Sequence, residues 1–214
     1  MKLTLYYMPI ARSLVPYVTL TEAGAEFEVR ALDYSKRQHL SPEFSKLNPA
    51  RKVPLLVIDG EPLSESVAIQ LWIARQYPSA MLLPAEPMKE FKAISLISWC
   101  AFGMHPLIKR ISGTSQVCSL PGAEDSVRQI AQEQLIKNYK IADKLLDGRE
   151  FFFDHFTTAD AHFFWCLRRG AQLNLPLGRF PHCLAHFERM RQRPSVRKLL
   201  TYEKAVLAAF AQSA

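Results

Sequence analysis

The sequence predicts a protein of two parts, an α/β domain at the N-terminus followed by an all-helical domain. Residues 1–78 alternate between short apolar stretches with a strand pattern and stretches with a helical period. The next residues, 79–87, contain two prolines and no clean period, which is typical of a linker. Every later apolar pattern has a helical period, so we expect the second domain to cover 88–214.

The expected elements of the first domain follow one another in the order β-α-β-α-β-β-α, which is that of a thioredoxin-like fold. Ser41 can cap a short helix that has Pro42 at its first position. The pair Asp59-Gly60 favours a hairpin between two strand-like stretches. The expected strands cover 3–7, 26–32, 53–58 and 61–64, and the expected longer helices cover 14–23 and 66–77.

In the second domain, apolar residues at helical spacing predict one long helix through 91–102 and another over 127–146. The stretch 112–125 contains glycine and proline and is expected to be a loop, whose role the sequence does not indicate. Thr157 precedes a further apolar helix, and Asp160, three residues later, can return a hydrogen bond to it. This capping-box pattern predicts where that helix begins.

Composition and charge are those of an ordinary globular protein. Of the 214 residues, 49% are hydrophobic and 22% charged, and no run of eighteen apolar residues occurs, so we expect no membrane span. The first residues are strand-like and lack the apolar region of a signal peptide, which favours a cytoplasmic protein. The net charge is +7, but the basic residues are scattered, so we expect a small anionic ligand rather than nucleic acid.

The four cysteines do not predict a metal site. None belongs to a C-x-x-C motif or to a Cys/His cluster with zinc spacing. We therefore expect reduced, buried thiols and no bound metal. These residues are Cys100, Cys118, Cys166 and Cys183.

Two short motifs predict a binding site for a peptide-like anion. Pro54 stands at the start of a strand-like run, where it needs to donate no ladder hydrogen bond and where a cis X–Pro bond can occur. Such a turn leaves the main-chain N–H and C=O of Val53 open to an extended ligand. Glu65-Ser66 then opens a helix whose first N–H groups favour an anion. Together, a sheet edge and a helix N-terminus can hold a short peptide that ends in a carboxylate.

These motifs also carry a family resemblance. Asn48-Pro49-x-x-Lys52-Val53-Pro54, followed by Glu65-Ser66-x-Ala68-Ile69, resembles the glutathione site of the cytosolic glutathione transferase superfamily. The resemblance implies that the main chain of Val53 pairs with the cysteinyl part of glutathione and that Glu65 and Ser66 hold its γ-glutamyl end. The segments 156–160 and 193–196 resemble a folding element and the start of the final helices of the same family, so the resemblance extends over nearly the whole chain.

Activation of the thiol is expected at the start of the first helix. Glutathione reacts as a thiolate, and a thiol pKa of about 8.5 leaves only a few per cent ionised at pH 7. Residues 7–16 resemble the bacterial beta class, which has Tyr-Ser-Pro-Gly-Ala-Cys-Ser-Leu-Ala-Pro there. Arg12 replaces the cysteine of that class, and Ile10 stands where other classes have a catalytic hydroxyl.

Three candidates remain for thiol activation, each with an alternative structural role. Ser13 offers a hydroxyl or is a helix cap, and Tyr7 offers a hydroxyl or packs at a domain interface. Arg12 offers a permanent charge and several N–H donors, or forms a surface or interface salt bridge. Our hypothesis is that Ser13 and Arg12, aided by the helix N-terminus, stabilise the thiolate.

The remaining site residues are expected on both sides of the linker. The resemblance implies that His39 contacts the glycine carboxylate of glutathione, as Lys52 can, and that His105 reaches toward glutathione; a solvated loop histidine is the alternative for His39. An apolar acceptor pocket or, alternatively, a helical core is expected to contain Trp99, Phe102, Met104 and Ile108.

The resemblance implies a glutathione transferase that attacks a small apolar electrophile and forms a homodimer. Peroxidase, isomerase, dehalogenase or ether-cleaving chemistry on the same fold are alternatives. A non-catalytic binding or interaction protein of this family is the rival from another functional class. The missing cysteine at Arg12 and missing hydroxyl at Ile10 favour the rival, whereas the intact Val53-Pro54 and Glu65-Ser66 pairs oppose it.

Overall fold

The computed structural model describes residues 1–212, and its N-terminal part contains a four-stranded mixed sheet. The strands and helices are β1 (Leu3–Tyr7), α1 (Leu14–Glu22), β2 (Glu28–Ala31), α2 (Pro42–Leu47), β3 (Leu55–Ile58), β4 (Glu61–Ser64) and α3 (Ser66–Gln76). In the sheet order β2-β1-β3-β4, β1 runs parallel to β2, and the other two neighbouring pairs are antiparallel. The predicted thioredoxin-like order is therefore confirmed.

Residues of the predicted apolar runs form the core of this part. Leu5, Leu55 and Leu56 of the sheet and Ile69 and Ile73 of α3 have no exposed surface. Each such side chain contributes on the order of 1.5–3 kcal/mol through burial. The sheet and α3 thereby fix the ends of β1, β3 and β4 against one another, and the functional motifs lie at those ends.

The rest of the described chain is helical. Its helices are α4 (Pro87–Ser98), α5 (His105–Ser112), α6 (Glu124–Leu145), α7 (Thr158–Gln172), α8 (Pro181–Gln192) and α9 (Pro194–Gln212). The predicted long helix is present as α4 and α5 joined by a π-helical segment, Trp99–Met104. Pro106 explains the change of hydrogen-bond pattern, because it has no N–H to donate back into the preceding turn. Between α5 and α6, the predicted loop contains only a short 3₁₀ turn, Thr114–Gln116.

Helix α7 begins at the predicted capping box. The fully buried Asp160 carboxylate accepts the N–H of Thr157 at 2.8 Å and the N–H of Phe152 at 3.1 Å. It also contacts Nε2 of the buried His186 at 3.0 Å. A buried carboxylate needs such partners, so this cluster has a structural role.

Contacts divide the chain into two compact units that differ from the sequence-based domains in the position of α9. The N-terminal unit consists of residues 1–83 together with the chain from Gln192 onward, and the helical unit consists of residues 84–191. Helix α9 belongs to the first unit because it packs on α1. Arg193, just before α9, donates two hydrogen bonds to the Glu22 carboxylate, at 3.0 and 2.7 Å.

The stretch Pro87–Ser112 also has the length and composition of a membrane-spanning helix. Its most apolar window has a mean hydropathy of 1.3, and 39% of that window is buried inside the structure. Core helices of water-soluble proteins meet the same two criteria. The expectation that the chain does not span a membrane therefore stays a prediction.

Candidate glutathione site

A concavity in the N-terminal unit brings together both sequence motifs and one of the candidate thiol activators. It lies between the loop after β1, the turn before β3 and the start of α3. Its lining residues are Arg12, Asn48, Ala50, Lys52, Val53, Pro54, Ser64, Glu65 and Ser66. These residues come from three separate stretches of the sequence, so the fold assembles the site.

The turn before β3 presents main-chain groups to this concavity. The peptide bond between Val53 and Pro54 is cis, and Pro54 is buried whereas Val53 is half-buried. Within residues 1–212, no hydrogen bond joins the main chain of Val53 to another residue, and the ladder of β3 begins only at Leu55. The N–H and C=O of Val53 are therefore available to an extended, peptide-like ligand.

Asn48 stabilises the conformation of this turn through two side-chain hydrogen bonds. Its side chain is buried, and it donates from Nδ2 to the carbonyl of Lys52 at 2.7 Å while accepting the N–H of Ala50 at 3.1 Å. Lys52 itself is exposed at the rim of the concavity. Its ammonium group can therefore meet an anionic ligand as a point charge.

The start of α3 provides the opposite wall. Glu65 has a positive φ, with φ 69° and ψ 120°, a sparsely populated conformation that costs about 1–3 kcal/mol and that recurs at ligand sites. Ser66 is the first residue of α3 and is 2% exposed. The free N–H groups of this helix end, together with the helix dipole, favour an anion here.

Gln70 fixes the position of Ser66, and sequence reasoning missed it. Its side chain is fully buried one turn into α3, and Nε2 donates to both the hydroxyl and the carbonyl of Ser66, each at 3.1 Å. The serine hydroxyl thus accepts from inside the protein and keeps its own proton for a ligand. The spacing of four residues in one helix is the signal that could have indicated this pair.

The hydroxyl of Ser13 is already paired within its own loop. Ser13 is fully buried, and Oγ accepts the N–H of Met8 and donates to the carbonyl of Met8, both at 3.0 Å. The side chain makes no capping hydrogen bond to α1. The geometry therefore favours neither of the two predicted roles, thiol donor or helix cap, and instead shows Ser13 closing the loop after β1.

Tyr7 and the same loop are bound by a residue from the far end of the chain. The buried Tyr7 hydroxyl donates to Oε2 of Glu203 at 2.6 Å, and the N–H of Ile10 donates to the same oxygen at 2.7 Å. Glu203 lies on α9 and is 3% exposed. Tyr7 therefore points into the protein, away from the role of a thiol donor, and sequence reasoning did not single out Glu203.

Ile10 adopts a backbone conformation that is unfavourable for its side chain. Its φ of 68° lies in the left-handed region, where a β-branched residue is a true outlier. The steric cost is about 1–2 kcal/mol. The hydrogen bond to Glu203 therefore holds the loop in a shape that the local sequence alone does not favour.

His39 lies apart from the residues that line the concavity. Its ring stacks on Tyr34, with centroids 4.9 Å apart, and the buried Nδ1 has no hydrogen-bond partner among residues 1–212. Burial, and then the nearby charge of Arg37, lower the pKa of His39. The imidazole is therefore neutral near pH 7 and would meet a carboxylate as a hydrogen-bond donor rather than as a cation.

The predicted acceptor residues of the helical unit have different environments. Met104 and Ile108 are buried, with exposures of 0% and 2%, whereas Phe102 is 67% exposed. Trp99 is half-buried and donates from its indole nitrogen to Oδ1 of Asn138 at 2.8 Å. Met104 and Ile108 thus belong to the core of this unit, the alternative that the pattern had left open.

His105 is the first residue of α5 and packs on an aromatic ring. Its imidazole and the ring of Trp165 have centroids 5.4 Å apart. Both residues belong to the helical unit. The predicted reach of His105 toward glutathione stays a prediction.

Other potential nucleophiles and ligands do not form a second centre in the described chain. Cys100, Cys166 and Cys183 are buried and Cys118 is partly exposed, and all four are free. Burial raises the pKa of the Cys100 and Cys183 thiols, which keeps them protonated. Within residues 1–212, no group of three or more His, Cys, Asp or Glu residues could hold a metal ion.

Comparison with known proteins shows the family of this chain. Residues 1–75 match the family model described as "Glutathione S-transferase, N-terminal domain". The protein named glutathione S-transferase GstA of Escherichia coli O157:H7 is 30% identical over 207 residues, covering 93% of this chain and 98% of that protein.

Two solved structures are similar over almost their whole length. One, a sphingomonad glutathione S-transferase complexed with glutathione, has a TM-score of 0.83 and 30% identity, and it is matched over 94% of this chain and 98% of that one. The other, a beta class glutathione S-transferase of Sphingomonas chungbukensis, has a TM-score of 0.82 and 31% identity with the same coverage. Sequence and fold agree, and the chain belongs to the glutathione S-transferase family.

Proposed function

We propose that this protein binds glutathione in the concavity of the N-terminal unit and activates it as a thiolate, whose sulfur attacks a small apolar electrophile so that the whole glutathionyl group becomes bonded to it. The observation that carries the proposal is the meeting of Arg12, the Val53–Pro54 turn and the Glu65–Ser66 helix start in one concavity. A tripeptide with carboxylates at both ends, an internal amide backbone and a thiol matches that set of groups.

Each part of glutathione has a complementary group in this proposal. The main chain of Val53 pairs with the cysteinyl residue, as in the addition of a strand to a sheet edge. The γ-glutamyl carboxylate accepts from Ser66 and from the first N–H groups of α3, while Glu65 meets the ammonium group. Lys52 attracts the glycine carboxylate, and neutral His39 is a second donor to it if the Tyr34–His39 pair moves.

Arg12 is the group that we propose for thiol activation. Of the three sequence candidates, it is the one that lines the concavity, whereas the hydroxyls of Ser13 and Tyr7 are bound inside the protein. A guanidinium group cannot lose its charge near neutral pH, and it presents several N–H donors. Its charge favours the thiolate and lowers the pKa of the bound thiol.

From the helical unit, the proposal retains Trp99 and the exposed Phe102 as candidate contacts of the electrophile and His105 as a candidate contact of glutathione, as the resemblance implies. A homodimer in the cytoplasm, without membrane or nucleic-acid partners, completes the proposal. Isomerase, peroxidase or ether-cleaving chemistry would use the same thiolate.

The rival function is that of a glutathione-binding protein that performs no transfer. The specific observation in its favour is that neither hydroxyl near the thiol position, that of Ser13 or Tyr7, is free to donate to sulfur. The rival depends on Arg12 leaving the thiol pKa unchanged.

A titration of glutathione into the purified protein separates these functions. Binding is followed together with the ultraviolet absorbance of the thiolate across a range of pH. Binding with a thiol pKa at least one unit below the free value of about 8.5 supports the transferase. Binding without a shift supports the non-catalytic protein, and the absence of binding contradicts both.

A further inference from the structure

We infer that Glu203 is a positioning residue for thiol activation, because it holds the loop after β1 in the strained shape that brings Arg12 into the site. This inference rests on the proposed function, since Arg12 matters only if a thiolate forms beside it. Glu203 is not among the residues that line the concavity, and it acts on the loop through the N–H of Ile10. Its place on the last helix separates it from Tyr7 by 196 positions in the sequence.

The Glu203 carboxylate is buried and binds two donors of the N-terminal unit. Glu203 is 3% exposed, and a single oxygen, Oε2, accepts from both the Tyr7 hydroxyl and the Ile10 N–H, at 2.6 and 2.7 Å. Burying a carboxylate is unfavourable unless strong donors compensate it. A hydrophobic residue would pack at such a position without that cost. The presence of a carboxylate is therefore best explained by the two donors that it binds.

Ile10 has a backbone conformation that requires an external constraint. A β-branched residue at φ 68° stays in the left-handed region only when its surroundings impose that shape. Glu203 provides this constraint through the Ile10 N–H. Without it, the loop is expected to relax toward a negative φ at Ile10, which redirects the chain two residues later, at Arg12.

Helix α9 is firmly attached to the N-terminal unit. Tyr202 packs edge-on against Tyr7 at 5.6 Å and stacks on Tyr17 at 5.4 Å, so the helix is held on the N-terminal unit at the residue next to Glu203. At the start of α9, Ser195 and Arg193 both bind the Glu22 carboxylate of α1. Glu203 is therefore presented from a rigid support, as an orienting residue requires.

Variants of Glu203 and Ile10 test this inference, because they remove either the constraint on the loop or the strain at Ile10. Glu203→Ala should raise the pKa of bound glutathione toward its free value and lower kcat/KM by about 10–100-fold, since misplacing a catalytic group by about 1 Å has effects of that size. Glu203→Gln keeps an oxygen acceptor and should stay within about threefold of the wild type. The double variant Ile10→Gly with Glu203→Ala should recover most of the lost kcat/KM, because glycine adopts positive φ at no steric cost.

The rescue distinguishes positioning from simple support of the fold. If Glu203 only anchored α9, Ile10→Gly would not restore kcat/KM or the thiol pKa of the Glu203→Ala protein. That result, or an unchanged thiol pKa in folded Glu203→Ala protein, would overturn the inference. If Glu203→Ala does not fold, Tyr7→Phe leaves the Ile10 bond intact and should keep the thiol pKa low, whereas a raised pKa would overturn the inference.

Hydrogen exchange reports on the loop without any ligand. The Ile10 amide should exchange slowly in the wild type and in Glu203→Gln, and much faster in Glu203→Ala. If the wild-type protein does not bind glutathione, the proposed function fails, and this exchange pattern alone decides whether Glu203 holds the loop. Equal exchange rates at Ile10 in wild type and Glu203→Ala would overturn the inference.

Discussion

The two sides of the candidate glutathione site are built in different ways. On the peptide side, the main chain of Val53 and the start of α3 meet the ligand, and the residues that shape them, Asn48 and Gln70, lie within four positions of a motif residue. On the thiol side, the loop after β1 keeps its shape through Glu203, 193 positions beyond Ile10. The peptide side is local in sequence, whereas the thiol side depends on the completed fold.

This difference has a consequence for substitutions. Changes on the peptide side should weaken glutathione binding and leave the thiol pKa alone. Changes on the thiol side should alter the thiol pKa and leave binding nearly unchanged. Four variants test this separation, from the largest expected effect on the site to the smallest.

Ser66→Ala should give the largest loss of binding. The hydroxyl donates to a carboxylate in the proposed complex, and a hydrogen bond to a charged group is worth about 1.5–3 kcal/mol, or roughly 10–100-fold in Kd. Calorimetric titration with glutathione measures it. Ser79→Ala, at an exposed position outside the concavity, is the control and should bind normally. An unchanged Kd for Ser66→Ala would place the γ-glutamyl end elsewhere.

Arg12→Ala should raise the pKa of bound glutathione by about one unit while changing Kd by less than about threefold. One pKa unit corresponds to about 1.4 kcal/mol of interaction between the guanidinium charge and the thiolate. Thiolate absorbance against pH measures the thiol pKa. Arg12→Lys keeps the positive charge and should retain about half of the lowering of the thiol pKa that Arg12 produces. An Arg12→Ala protein whose thiol pKa equals that of the wild type would exclude Arg12 as the activator.

Gln70→Met should weaken glutathione binding by about fivefold, because the Ser66 hydroxyl loses the donor that orients it. Calorimetric titration with glutathione measures this loss of affinity. In the double variant with Ser66→Ala, the second change should add almost nothing, since both act through one hydroxyl. Fully additive losses would show that Gln70 acts on the ligand by another route.

Glu22→Gln should change stability without changing the site. Burial alone raises the pKa of Glu22, but hydrogen bonds from Arg193 and Ser195 and the charge of Arg193 lower it overall. A lowered folded-state pKa means that the carboxylate stabilises the fold above its unfolded pKa of about 4.5 and loses this contribution as the pH falls through the folded value. We expect a loss of about 1–2 kcal/mol in the free energy of unfolding at pH 7, shrinking below about pH 4.5.

Urea unfolding at several pH values measures this loss. Glu28→Gln is the matched control, because its pair with Lys2 spans 3.6 Å between two exposed side chains and should contribute little. Glutathione affinity should equal that of the wild type in both variants. A weakened affinity in Glu22→Gln would mean that the attachment of α9 also controls the peptide side.

The same contrast explains what the sequence could and could not predict. The element order of the N-terminal unit, the Ser41 cap and the Thr157–Asp160 capping box were predicted because each depends on local spacing. The Val53–Pro54 turn and the Glu65–Ser66 helix start were predicted as a pair, and they do meet in one concavity.

Local pattern did not reveal which polar groups of the thiol loop face inward. Ser13 and Tyr7 are chemically suitable donors, and only their three-dimensional partners, Met8 and Glu203, show that these hydroxyls are already used. Met104 and Ile108 had the apolar character of pocket residues as well as of core residues, and burial decided for the core. Periodicity identifies an apolar face but not what covers it.

The grouping of α9 with the first eighty-three residues also affects how the chain is made. Synthesis proceeds from the N-terminus, and domains generally fold as they emerge. Here the sheet, α1 and the loop after β1 leave the ribosome long before Glu203 and Tyr202 do. Until the last helix follows, the rings of Tyr7 and Tyr17 lack their cover and Ile10 lacks its constraint. The N-terminal unit can therefore form completely only after α9 has been synthesised, so that a chain ending before Glu203 would lack a formed thiol loop.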